Sequence, residues 1–93
     1  MYYLYLILCE DGSIYTGVTN DVNRRFQEHC EGKGGQYTKK HKPLKLLGYE
    51  QFSIKQKALK RERQIKGWRK DKKLNIIRKQ QTYVAEEYKN QRL

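Results

Sequence analysis

The chain is poor in the residues that define several large classes of protein. It has two cysteines, Cys9 and Cys30, in 93 residues. These are too few for a disulfide framework and too far apart for a CxxC pair. Both are read as reduced, buried and inert. A zinc site built from Cys9, Cys30, His29 and His41 lacks ligand spacing. No apolar run approaches the roughly 18 residues that a membrane helix needs. The apolar start, Tyr2 to Leu8, has no basic residue before it and no small-residue cleavage site after it, so it does not read as a secretory signal. There is no P-loop, no Gly-rich dinucleotide fingerprint and no Ser/His/Asp triad. The expectation is a cytoplasmic protein with no membrane partner.

Acids are also scarce. Ten Asp and Glu stand against 21 Lys and Arg, for a net charge of +11. Mean hydropathy is low at −1.07, yet eight Tyr, two Phe and one Trp argue against disorder. The charge is uneven. Residues 1–54 carry seven bases against six acids, net +1, whereas residues 55–79 carry twelve against two, net +10. Residues 80–93 balance two against two. A solvated helical face usually alternates in sign, and this one does not. One-sided charge of this kind is the electrostatic footprint of a nucleic-acid contact. Lys60, Arg61, Arg63 and Lys66, with Lys39 and Lys40 in a preceding basic loop, are the candidate contacts. The basic segment has few large apolar residues to insert into a membrane surface.

Tyr2 to Leu8 is apolar on both faces and reads as a central strand. Ser13 to Val18 reads as its hairpin partner. A two-residue turn would place Tyr5 and Tyr15 on opposite faces. A three-residue turn, Glu10-Asp11-Gly12, pairs Cys9 with Ser13, Ile7 with Tyr15 and Tyr5 with Gly17. That register gathers Leu4, Leu6, Leu8, Ile14, Thr16 and Val18 on the other face, as a helix-covered core needs. It predicts a positive φ at Gly12.

Thr19, Asn20 and Asp21 then offer helix-capping oxygens. Val22, Phe26, His29 and Cys30 follow on one helical face. Gln36 to Pro43 reads as a loop and Leu44 to Phe52 as a third strand. Ser53 and Gln56 suggest a capping box for a helix from about Ile54 to Lys66, stopped at Gly67. A last helix spans Lys70 to about Gln80. The reading is one α+β domain over 1–80, a three-stranded antiparallel sheet with packed helices in the order ββαβαα, followed by a polar C-terminal tail, 81–93.

Glu62 is one of two acids within the basic segment. On a helical wheel it falls about 30° from the mean direction of Ile54, Ala58, Leu59 and Ile65, so it aims at the protein body. Such a carboxylate suits Mg²⁺, which often takes one or two protein carboxylates and keeps its waters. The plain structural alternative is an ion pair with Arg25, Arg61 or a lysine. Arg25 flanks the apolar face of the first helix, where a guanidinium suits a phosphate clamp or simply snorkels to solvent. His29, within that face, reads equally as a satisfied core histidine.

Tyr3-Leu4-Tyr5 and Tyr15-Thr16-Gly17, ten residues on, resemble the two motifs of the GIY-YIG nuclease domain, with YLY for GIY and YTG for YIG. The stretches from Tyr15 to Asp21, Arg24 to His29, Lys33 to Thr38 and Ala58 to Trp68 are similar to the pattern of its short stand-alone bacterial members. The resemblance implies a Mg²⁺-dependent (or Mn²⁺-dependent) endonuclease cutting DNA by one-metal chemistry. It would make Gly17 a structural motif residue, Arg25 the residue that holds the scissile phosphate, and Glu62 the metal ligand. Tyr5, Tyr15 or His29 would activate the water. The resemblance also leaves room for a protein partner that supplies specificity. The alternative is a protein that binds DNA or RNA with little or no cleavage.

Overall fold

The computed structural model describes residues 1–76. It contains β1 (Tyr2–Cys9), β2 (Ile14–Thr19), α1 (Val22–Cys30), α2 (Gln36–Lys40), β3 (Pro43–Phe52) and α3 (Lys55–Lys66), with a further helical stretch over 70–76. The α+β class and the ββαβαα order are those read from the sequence, with one addition. A five-residue helix, α2, lies inside the segment read as a loop. The end of the last helix near residue 80 and the tail 81–93 lie outside the described residues.

The strands form one antiparallel sheet in the order β2-β1-β3. β1 is central because it alone is apolar on both faces. The hairpin has the three-residue register: Tyr5 pairs with Gly17, Ile7 with Tyr15 and Leu4 with Val18. The turn closes through Gly12 N–H to the Cys9 carbonyl and Cys9 N–H to the Ser13 carbonyl, both 2.9 Å. Gly12 has φ +85°, a conformation that would strain any residue with a Cβ. Pro43 opens edge strand β3, where its missing N–H costs least.

Alternation along β1 divides the core into two layers. Leu4 and Leu6 pack with Ile65 of α3, flanked by Ile14 and Val18. Tyr5, Ile7 and Cys9 pack with Val22 and Phe26 of α1. Thus α1 and α3 reach opposite faces of the sheet.

Two local expectations are corrected. The Ser53–Gln56 capping box does not form. Ile54 is the N-cap of α3 and no side chain bonds there. The helix starts one residue later than the box requires, which puts Ser53 outside it. Cys30 is exposed, while Cys9 is buried. α1 ends at Cys30, so no further turn of helix covers that thiol.

Candidate active site

Asp21 starts α1 by accepting the Arg24 backbone N–H at 3.1 Å. The helix register then turns Val22 and His29 inward, leaves Arg25 half-buried and points Arg24 to solvent. His29 is fully buried beneath the tyrosine face. Its Nε2 lies 2.9 Å from the Tyr5 hydroxyl and its Nδ1 lies 2.7 Å from Thr38 Oγ1. Thr38, on α2, is itself buried. The Tyr15 ring packs against both, 6.2 Å from the Tyr5 ring and 4.9 Å from the His29 ring. Tyr5, Tyr15 and His29 therefore meet at one place, and Arg25 lies close enough to act on the Tyr5 hydroxyl.

Two glycines make this packing possible. A Cβ at Gly17 would lie 2.5 Å from the Tyr5 hydroxyl, so Gly17 leaves the space that the phenol fills. A Cβ at Gly34 would collide with the His29 ring. The Gly34 carbonyl also accepts from Arg25 at 3.2 Å.

Burial pushes the Tyr5 hydroxyl up to about 12, with Arg25 opposing and Tyr15 adding to the shift. Tyr5 therefore keeps its proton at neutral pH and acts as a donor. Burial, reinforced by the Arg25 charge, pulls His29 from 6.5 down to about 4, so its imidazole is neutral. Both ring nitrogens are engaged inside the protein. Arg25 donates to Glu28 at 3.1 Å and to the Gly34 carbonyl at 3.2 Å. Two of its five donors are thus engaged by the described residues, which leaves three for a ligand.

A stability prediction follows from His29. Its folded pKa lies below its unfolded value, so between pH 6.5 and about 4 the unfolded chain binds a proton that the folded one refuses. Stability from this group is complete above pH 6.5 and is lost as pH falls through that window. Urea midpoints measured from pH 7 to 4 should decline, and the decline should be shallower in His29→Gln.

Glu62 makes no hydrogen bond or ion pair with this cluster among the described residues. It is partly buried on α3, the helix whose Ile65 joins the opposite layer, and it has no ion pair or hydrogen bond among the described residues. Its suggested partners are committed elsewhere: Arg25 to Glu28, and Arg61 to Glu50. Arg61 reaches Glu50 through Nε at 3.0 Å and Nη2 at 3.3 Å, and it also lies over the Trp68 ring. It is therefore held by the protein, whereas Lys39, Lys40, Lys60, Arg63 and Lys66 are exposed.

Sequence reasoning missed Thr38, Glu50 and an aromatic path leading outward from the cluster. Tyr37 of α2 packs 5.6 Å from Tyr15, and His41 lies 4.5 Å beyond Tyr37. His41 Nδ1 is 2.7 Å from Asp11 of the hairpin turn, which ties α2 to β1-β2. The one available signal was the Lys33–Thr38 stretch of the family pattern, which carries Gly34, Tyr37 and Thr38.

The match of this chain to a catalytic-domain family model indicates the endonuclease superfamily. The chain belongs to the GIY-YIG family: residues 1–75 match the GIY-YIG catalytic domain. It is 43% identical over 77 residues to a UPF0213 protein of Staphylococcus aureus, covering 83% of this chain and 94% of that one. A UPF0213 protein of Staphylococcus saprophyticus is likewise 43% identical over 76 residues, 82% of this chain and 93% of its own. Two solution NMR structures are similar. The UPF0213 protein BH0048 from Bacillus halodurans has a TM-score of 0.51 at 38% identity, covering 83% of each chain. The protein EF2693 from E. faecalis has a TM-score of 0.59 at 31% identity, covering 87% of this chain and 86% of that one. Among the described residues, no helix is long and apolar enough to cross a membrane.

Proposed function

We propose that the protein is a divalent-metal-dependent endonuclease acting on DNA, with Arg25, Tyr15 and Glu62 in direct roles and with Tyr5 and His29 as positioning residues. The observation that supports this most is the packing of Tyr5, Arg25 and His29 around a partly exposed Tyr15 on one sheet face.

GIY-YIG nucleases are generally divalent-metal dependent. The donor set here suits Mg²⁺, or Mn²⁺, held by a single carboxylate that keeps most of its waters. Glu62 has no protein cation on it among the described residues, and among them no three or more His, Cys, Asp or Glu side chains are grouped so as to hold a metal ion. A cation held by Glu62 would supply positive charge to a substrate phosphate.

The other roles fall to the chain itself. Arg25 would hold the scissile phosphate with its remaining donors. Tyr15, partly exposed, would present its hydroxyl to the attacking water. Tyr5, buried and firmly protonated, packs its ring against Tyr15 and keeps it in place. His29, neutral and enclosed, orients Tyr5 and does not meet water. The exposed lysines and Arg63 would attract the nucleic-acid backbone without reading its sequence.

The test is a Mg²⁺-dependent cleavage screen over duplex, single-stranded and branched DNA and over RNA, with Tyr15→Phe and Arg25→Ala as controls. Cleavage that depends on both residues supports the reading; cleavage that survives both overturns it. Binding without cleavage on every substrate would favour the second reading, a nucleic-acid-binding protein, which the exposed bases of α3 would serve as well. In either case, replacing Lys60, Arg63 or Lys66 by Gln should weaken binding similarly for all sequences. Each lost phosphate contact should flatten the salt dependence by about 0.9 in the log–log slope on duplex DNA.

A further inference from the structure

The direction of the hydrogen bonds through His29 can be read from Thr38. Thr38 Oγ1 is buried, and among the described residues its one side-chain hydrogen bond is to His29 Nδ1 at 2.7 Å. If the hydroxyl accepted from an Nδ1–H, its own proton would be buried with no acceptor, which proteins avoid. The hydroxyl therefore donates to Nδ1, and the neutral imidazole carries its hydrogen on Nε2. That Nε2–H points at the Tyr5 oxygen, 2.9 Å away. Arg25, which has only donors, also lies close enough to Tyr5 for its charge to favour the phenol oxygen as an acceptor. With the Nε2–H and the Arg25 charge both favouring its oxygen as an acceptor, Tyr5 turns its own proton away from His29, toward the Tyr15 ring packed 6.2 Å away.

We infer that Thr38 is a positioning residue of the catalytic cluster: its hydroxyl fixes His29 as the Nε2–H tautomer, and this turns the Tyr5 hydroxyl proton toward Tyr15. The consequence for the reaction rests on the nuclease reading above, but the tautomer does not. Gly34 supports the same device by leaving room for the ring whose Nδ1 Thr38 meets.

The test uses the full-length, ¹⁵N-labelled protein at pH 7 with long-range proton–nitrogen correlation of the His29 ring. The wild type should show a protonated Nε2 and a bare Nδ1. An Nδ1–H tautomer in the wild type overturns the inference outright, and this measurement needs no substrate. Thr38→Val removes the donor at nearly constant volume, so its His29 should shift toward the Nδ1–H form. Thr38→Ser should keep the wild-type tautomer. A Thr38→Val protein that retains the pure Nε2–H form overturns the inference. Should Thr38→Val fail to fold, the wild-type and Thr38→Ser spectra still decide. On a substrate that the wild type cleaves, Thr38→Val should lower kcat about tenfold, the equivalent of one neutral hydrogen bond, with KM unchanged and with recovery in Thr38→Ser. A wild type that cleaves nothing defeats the nuclease reading and leaves the tautomer result standing.

Discussion

Glu62→Ala should abolish metal-dependent cleavage, with a loss of about a thousandfold or more, and leave the fold in place. The expected stability change is small because Glu62 is only partly buried and has no ion pair or hydrogen bond among the described residues. Substitutions at such sites usually shift stability by about 0.5 kcal/mol or less. The measurement is initial cleavage rate against Mg²⁺ and Mn²⁺ concentration, alongside a urea midpoint. Wild-type rates in Glu62→Ala would refute the metal assignment, and loss of folding would make the carboxylate structural. Glu50→Ala is the contrasting substitution. It removes the buried partner of Arg61 and should destabilise the protein, because it breaks the ion pair across β3 and α3.

The second large effect is expected at Gly34. Its alanine variant would drive a Cβ into the His29 ring, which cannot retreat because Tyr5, Tyr15 and Thr38 surround it. The cost is steric, since φ at Gly34 is not positive. Overpacking of this kind costs about 1–3 kcal/mol. Any displacement of His29 also removes its bond to Tyr5, so cleavage should fall with stability. Gly67→Ala is the matched control: its Cβ would meet nothing within 4 Å at φ −89°, and it should be neutral or slightly stabilising. Denaturant midpoints and cleavage rates for the two variants separate a crowded site from a general intolerance of alanine.

The parts of the molecule governed by short-range rules were legible in the sequence. Period-two alternation together with Gly12 was enough to place Tyr5 opposite Gly17, because a one-residue slip would have turned the leucines of β1 away from their layer. The cap at Asp21 and the inward face of α1 followed from local chemistry. Thr38 and Glu50 were not legible, since Thr38 is a polar residue in a polar stretch and Glu50 is a charged residue in an edge strand. Burial comes to Thr38 from a histidine nine residues away, and to Glu50 from an arginine eleven residues away. The short helix α2 carries no apolar periodicity. Glu62 was correctly read as leaning inward, but a helical wheel gives direction within one helix and not which face of the sheet that helix covers.

The contrast between the two cysteines has a practical consequence. Cys9 is sealed in the core and Cys30 is open at the end of α1, beside His29 in the chain. The native protein therefore carries one thiol that a maleimide can reach, and a fluorophore or spin label can be attached near the candidate site without engineering. The same thiol allows two copies to crosslink through air oxidation, so stoichiometries of nucleic-acid binding should be measured with reductant present.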